Sequence, residues 1–201
     1  MPSYFTDKSI AAVCASNVNR SMEAHYLFLR KGVQNVYSFG TSSQVKLPGT
    51  TQATPNIYDF KKTYAEIYED LIAKDEEFYR RKGLLSMIHR NMKVKPRPQR
   101  FQDEVSLQFD IIFTFEDRVY DVIVDDLLHR EASSHQPVHI INFTIKDSHE
   151  DAIVGARNVY RLFQIINSKG DTWVDEVDAA IDEFKESSDV DHSILHCTMF
   201  Y

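Results

Sequence analysis

One short passage constrains this chain more than any other. An apolar run ends in a cysteine, crosses a tight polar loop and continues as a helix. Ile10-Ala11-Ala12-Val13 reads as a buried strand of β-branched and small residues. Met22-Glu23-Ala24-His25-Tyr26-Leu27-Phe28-Leu29 reads as a helix with apolar positions at Met22, Leu27 and Leu29. Between them lie Cys14, the loop Ala15-Ser16-Asn17-Val18-Asn19, then Arg20 and Ser21. Such a connection suits an anion. Successive backbone N–H groups of residues 15–20 form a nest, and the following helix points its positive end the same way. The planar fork of Arg20 can grip two phosphate oxygens at once. Cys14 then sits beneath the phosphorus, where the positive field favours the thiolate that attacks. Ser21 can donate a hydrogen bond to the sulfur. The chemistry that follows is displacement of an alcohol from phosphorus through a phosphocysteine. The spacing of Cys14 and Arg20 alone is weak, because chance matches are common; the strand before it and the helix after it give it weight.

The rest of the chain extends the alternation. Gly32 reads as a helix stop, Val36-Tyr37-Ser38-Phe39 as a second strand, and residues 41–55 as a loop holding the turn-forming group Lys46-Leu47-Pro48-Gly49. Residues 56–92 read as helical, with Tyr58, Phe60, Tyr64, Ile67, Tyr68 and Leu71 recurring at helical spacing, followed by Phe78, Tyr79, Leu84, Leu85, Met87 and Ile88. An aromatic stripe of this kind is most often core. Lys93-Val94-Lys95-Pro96-Arg97-Pro98-Gln99-Arg100 reads as a solvated basic loop. Phe109-Asp110-Ile111-Ile112-Phe113-Thr114-Phe115 and Val138-His139-Ile140-Ile141-Asn142-Phe143 are apolar enough for strands buried on both faces. Helices are expected over 117–130, from 148 to about 167, and over 172–187; the apolar tail 194–201 adds a strand or packs on the sheet. Strands alternating with helices predict an α/β fold, a three-layer parallel sheet flanked by helices. Residues 1–201 then make one domain, with a helical, cap-like insertion at about 41–100 after the second strand.

Length and charge exclude several classes. The 201 residues are 43% hydrophobic, enough for a full core, and the formal net charge of -7 argues against general nucleic-acid binding. Two cysteines, Cys14 and Cys197, make no disulfide framework, and a reactive thiol needs a reducing compartment. The N-terminal residues lack a signal-peptide pattern and no run approaches a membrane span, so a soluble intracellular protein with no membrane contact is expected.

A leaving alkoxide needs a proton. Ligands of such sheets lie beyond the carboxyl ends of the strands. Cys14 ends the first strand and Asp147 follows the fourth, so both fall on one rim. Asp147 is the candidate acid, with helix capping as its bland alternative. Glu116 and Asp117, after the third strand, read as first-turn helix charges.

With these residues in view, Val13-Cys14-Ala15-Ser16-Asn17-Val18-Asn19-Arg20-Ser21-Met22-Glu23-Ala24-His25 resembles the N-terminal signature of the Ssu-type RNA polymerase II C-terminal-domain phosphatases, relatives of the low-molecular-weight tyrosine phosphatases. The likeness continues through Ser38-Phe39-Gly40-Thr41, Val45-Lys46-Leu47-Pro48-Gly49, Pro55-Asn56-Ile57-Tyr58-Asp59-Phe60, Lys95-Pro96-Arg97-Pro98, Pro137-Val138-His139, Asp147-Ser148-His149-Glu150 and Phe200-Tyr201. The resemblance implies a low-molecular-weight-phosphatase-like fold. It also implies removal of phosphate from serine at the fifth position of the polymerase heptad, with the next proline cis. It implies cysteine chemistry with no metal or cofactor, a nuclear location, and association with the mRNA 3′-end-processing scaffold symplekin. Cys14 becomes nucleophile, Arg20 phosphate clamp and Asp147 general acid. Lys46, Leu47 and Pro48, with Tyr79, Leu84 and Met87, become walls of a groove for a Ser-Pro turn. One position departs from the pattern: where the family usually has a second aspartate, three residues before the acid, this chain has Thr144, which removes a negative neighbour of Asp147. Two alternatives remain open. One is a low-molecular-weight tyrosine phosphatase, though those place an Asp-Pro pair as acid and this sequence has none. The other is a divergent paralogue that binds phosphoserine-proline or a scaffold protein.

Overall fold

Residues 7–51, 53–131, 133–187 and 193–201 are described by a computed structural model. Strand β1 (Ile10–Cys14) runs into α1 (Arg20–Arg30), which returns to β2 (Val36–Gly40). Further along come β5 (Ile111–Thr114), α4 (Asp117–His129), β6 (Pro137–Phe143), α5 (His149–Ser168), α6 (Val177–Glu186) and β7 (Ile194–Phe200). The main sheet has the order β2-β1-β5-β6-β7. Its first four strands are parallel; the tail strand β7 pairs antiparallel with β6 along its full length, from Pro137 opposite Phe200 to Phe143 opposite Ile194. The chain leaves β1 toward β2 on one side and returns by β5 on the other. The crevice at the carboxyl end of β1 is therefore the topological switch point, where ligands of such sheets bind.

The period of two along each strand divides the core. Ile10, Ala12 and Cys14 share one face with Phe113, Ile141 and Phe143, covered by Phe28 of α1, Val159 and Phe163 of α5, and Ile181 and Phe184 of α6. Ala11, Val13, Ile112, Val138 and Ile140 face the other way, against Val119, Ile123 and Leu127 of α4 and the rings of Phe39, Phe101 and Phe109. The inward face of α1 is Met22, Ala24, His25 and Phe28, while Leu27 and Leu29 are half-buried. A 3-10 turn at Gly170–Glu176 precedes α6, so the last helix starts later than its apolar periodicity implies.

The insertion differs from its sequence-based reading. Residues read as loop and as the start of a helix form a hairpin, β3 (Val45–Leu47) against β4 (Asn56–Tyr58), with Val45 opposite Tyr58 and Leu47 opposite Asn56. Strands of three residues carry too little alternation to register. Gly49 makes the return possible, since a Cβ there would fall 1.7 Å from the carbonyl oxygen of Thr54. Tyr58 is a strand residue whose hydroxyl donates to Asp70 at 2.7 Å. Helices α2 (Tyr64–Arg81) and α3 (Leu84–Met92) follow. Thr63 starts α2 with a capping box, and Asp75, in extended backbone, interrupts it and accepts from the Phe78 N–H at 2.9 Å. Hairpin and helices close a third apolar cluster on Val18 and Met22, beside the Cys14 loop.

Two buried histidines give the fold an acid limit. His25 meets Ser38 Oγ through Nδ1 at 2.8 Å, and burial, with Lys95 adding to it, pushes its pKa down to about 3 from 6.5. His139 meets His196 at 3.0 Å, and His196 meets Asp178 of α6 at 2.7 Å. Burial, then His196, pushes His139 down to about 4. Both stay neutral in the folded chain where the unfolded chain already takes a proton. Stability is complete above pH 6.5 and falls by about 1.4 kcal/mol per pH unit per histidine as acid is added, until the folded value is reached. Urea midpoints at pH 7 and pH 5 check this. The loss between them is expected to be about 2 kcal/mol smaller in His139→Gln than in the wild type; an equal loss would place the acid sensitivity elsewhere.

Candidate active site

Cys14 closes β1 with only 4% of its surface exposed. The loop after it is shaped by where its carbonyls go. Ala15 O accepts from Thr41 N at 3.1 Å and Ser42 N at 3.0 Å. Asn17 O accepts from the Tyr64 hydroxyl at 2.6 Å. Val18 O accepts from Arg90 Nη2 at 2.9 Å and Asn91 Nδ2 at 2.8 Å. In a trans peptide the next N–H points opposite to the carbonyl. Drawing these carbonyls outward therefore turns the N–H groups of Ser16, Val18 and Asn19 to the concave side, the arrangement of an anion nest. Asn17 carries the left-handed turn, with φ 54°. Gly40 lies so close that a Cβ would stand 2.7 Å from Ala15 O and 3.0 Å from Asn17 N, so no larger residue fits beneath the loop.

A buried chain of hydrogen bonds sets the polarity at the sulfur. Gln99 N donates to Asn17 Oδ1 at 2.9 Å, which leaves Asn17 Nδ2 to donate to Ser21 Oγ at 3.1 Å. Ser21 Oγ stands 3.0 Å from Cys14 Sγ. Its one proton is then free to point at the sulfur, as a thiolate requires. Arg90 also pairs with Glu23 of α1, fixing α3 against the loop.

Arg20, the first residue of α1, is 4% exposed. Nη1 donates to Phe115 O at 3.1 Å and Ile145 O at 2.8 Å, carbonyls just beyond β5 and β6; Nη2 donates to Glu116 at 2.5 Å. A guanidinium has five N–H bonds. Nε–H and one Nη2–H remain, and Nε has no hydrogen-bond partner among the described residues. Burial works against the charge, but Cys14, Asp147 and Glu116 outweigh it and the pKa is raised. Glu116, read from sequence as a first-turn helix charge, makes no cap bond for α4 and orients Arg20.

Asp147 stands opposite, with its side chain 60% exposed and Oδ1 3.5 Å from Arg20 Nε. It does not cap α5; Ser148 does, accepting from Asp151 N at 3.0 Å. Thr144 donates to Asp117 Oδ1 at 2.7 Å, and Asn142 Nδ2 reaches the same oxygen at 2.8 Å. A carboxylate at position 144 would meet that of Asp117.

A cavity of about 860 Å³ opens over Cys14, lined on one side by Lys46, Leu47, Pro48, Phe78, Lys82, Leu84 and Met87, and on the other by Asp147, Ser148, His149 and Glu150. Ser16, Val18 and Asn19 form its floor. Tyr79 is not on its wall. It is 1% exposed and its hydroxyl meets Asn56 Nδ2 at 2.9 Å, while Phe78 lines the cavity. The break at Asp75 resets the helix face, which periodicity along an unbroken helix does not foresee. Nor is the segment 93–100 simply solvated. Lys95 Nζ donates to Ser38 O at 2.5 Å and Gln99 Oε1 at 3.0 Å; burial lowers its pKa to about 7, against the pull of Cys14.

A family model described as "Ssu72-like protein" matches residues 8–201. The chain belongs to the Ssu72 family. The RNA polymerase II C-terminal domain phosphatase SSU72 of Dictyostelium discoideum is 46% identical over 197 residues, spanning 97% of this chain and 91% of that protein. A solved Ssu72 structure, from work on modifications of the RNA polymerase II C-terminal domain that fine-tune its phosphatase activity, superposes with a TM-score of 0.92 at 42% identity, covering 98% of this chain and 100% of that one. Drosophila melanogaster Ssu72 with symplekin, bound to a cis peptidomimetic of the C-terminal domain phosphorylated on its fifth-position serine, superposes with a TM-score of 0.90 at 41% identity, with the same coverage. The Ssu72 relationship thus covers sheet, insertion and tail together.

Proposed function

We propose that this chain is a cysteine-dependent protein phosphatase that removes phosphate from serine at the fifth position of the RNA polymerase II C-terminal heptad. The observation that carries the reading is the meeting of Cys14 Sγ, 3.0 Å from Ser21 Oγ, with the unsatisfied side of Arg20 and with Asp147 on one rim. The Cys14 thiolate attacks phosphorus as the serine oxygen leaves, taking a proton from Asp147. Water then attacks the phosphocysteine, Asp147 takes its proton, and the thiolate departs with its electron pair. The loop N–H groups and Arg20 hold the three non-bridging oxygens through both steps. The apolar wall of Leu47, Pro48, Phe78, Leu84 and Met87 suits the proline that follows the serine, and residues 41–100 act as a cap on a single phosphatase domain. The relatives support a nuclear site of action and a symplekin-type 3′-end-processing scaffold as partner.

The test is phosphate release from heptad peptides phosphorylated at the fifth or second position and from a phosphotyrosine peptide, each with and without EDTA. Release is expected from the fifth-position peptide and to survive the chelator. No release from any peptide, or activity lost to EDTA and restored by a metal, would overturn the reading.

A further inference from the structure

Asn19 occupies the N-cap position of α1, where an asparagine side chain ordinarily accepts a hydrogen bond from the helix's first free N–H groups. Here the side chain makes no cap bond. Nδ2 instead crosses to the other wall of the groove, donating to Asp147 Oδ1 at 2.9 Å and to Ser148 O at 3.0 Å. Oδ1, the atom that would cap the helix, is buried without a hydrogen-bond partner among the described residues. The residue forgoes its local bond and leaves an acceptor unsatisfied, both unfavourable. What it holds in return is the segment 147–148. Asp147 is mostly exposed, and its other neighbour in the site, Arg20 Nε, is farther away at 3.5 Å.

We propose that Asn19 is a positioning residue for the acid. It ties the Asp147 loop to the phosphate loop, keeps Asp147 Oδ1 occupied, and so leaves Oδ2 to carry the proton to the leaving oxygen. The inference rests on Asp147 being the acid. In the first step, formation of the phosphocysteine, its chemical consequence is confined to leaving groups that need a proton; hydrolysis of that intermediate is common to all substrates. Without the tie, the carboxyl rotates freely in solvent and is seldom in place when the P–O bond breaks.

The experiment is a double-mutant cycle with Asn19→Ala and Asp147→Asn, read as kcat/KM, which reports phosphocysteine formation, on a phosphoserine peptide and on p-nitrophenyl phosphate. Asn19→Ala removes no cap bond, because none exists. It is expected to slow the phosphoserine peptide roughly tenfold, the scale of a lost hydrogen bond to a charged group, and p-nitrophenyl phosphate far less. In the Asp147→Asn background it should add almost nothing. Asn19→Asp keeps the shape but turns the donor into a second carboxylate, and should lose at least as much on the peptide. Equal slowing of both substrates, or an undiminished effect in the Asp147→Asn background, overturns the positioning role. If Asp147→Asn itself slows both substrates alike, the assignment of the acid fails first, and the proposal with it.

Discussion

Cys14→Ser is expected to abolish turnover, by about four orders of magnitude or more, while phosphopeptide binding persists. The substitution changes one atom. The loop stays pinned by Thr41, Ser42, Tyr64, Arg90 and Asn91, and Arg20 stays anchored on Phe115, Ile145 and Glu116. What disappears is the sulfur nucleophile, and a serine hydroxyl in the same place has no base beside it to take its proton. Ser21 offers a proton and cannot take one while Asn17 donates to its oxygen. Phosphate release and peptide binding should therefore be measured on the same preparation. Turnover near the wild-type rate would end the covalent mechanism. Loss of binding along with turnover would show that the sulfur, rather than the loop, supplies the affinity.

Asp147→Asn should separate substrates by leaving group. General acid catalysis is worth about 10²- to 10⁴-fold, and a serine alkoxide needs all of it, whereas p-nitrophenolate leaves without a proton. In kcat/KM, which reports phosphocysteine formation, the phosphoserine peptide should slow by at least about a hundredfold and p-nitrophenyl phosphate by much less; the shared hydrolysis step, where Asp147 serves as base, enters kcat for both. An asparagine at 147 keeps an oxygen for Asn19 and the shape of the loop, so collapse of the site is not the expected cause. Equal slowing in kcat/KM would argue that the acid lies elsewhere on the rim. Of the carboxylates that follow β5, Glu116 is already bound to Arg20, and Asp117 to Asn142 and Thr144.

Much of this was legible along the chain. The run from Ile10 to Leu29, with its apolar strand, small polar loop and amphipathic helix, specifies a parallel strand–loop–helix, because a buried strand end and a helix start leave N–H groups with no other use. The alternation that follows implies a parallel sheet, and the sheet puts Cys14 and Asp147 on one rim. Periodicity also located the helices of the insertion, since it reports which face of an element is apolar. Only the tertiary structure decided what those faces meet. Tyr64, Arg90, Asn91 and Gln99 hold the loop after Cys14 from 47 to 82 positions away, and nothing in their local pattern distinguishes them from ordinary core or surface residues. The break at Asp75 exchanged Tyr79 for Phe78 on the groove wall. Glu116 became the partner of Arg20, and Asn19 that of Asp147, because folding brought β5, β6 and α1 to one crevice. Sequence sets local conformation through propensity and period; which distant donor finds which carbonyl is a property of packing, where burial makes an unpaired polar group too costly to leave unless a ligand completes it.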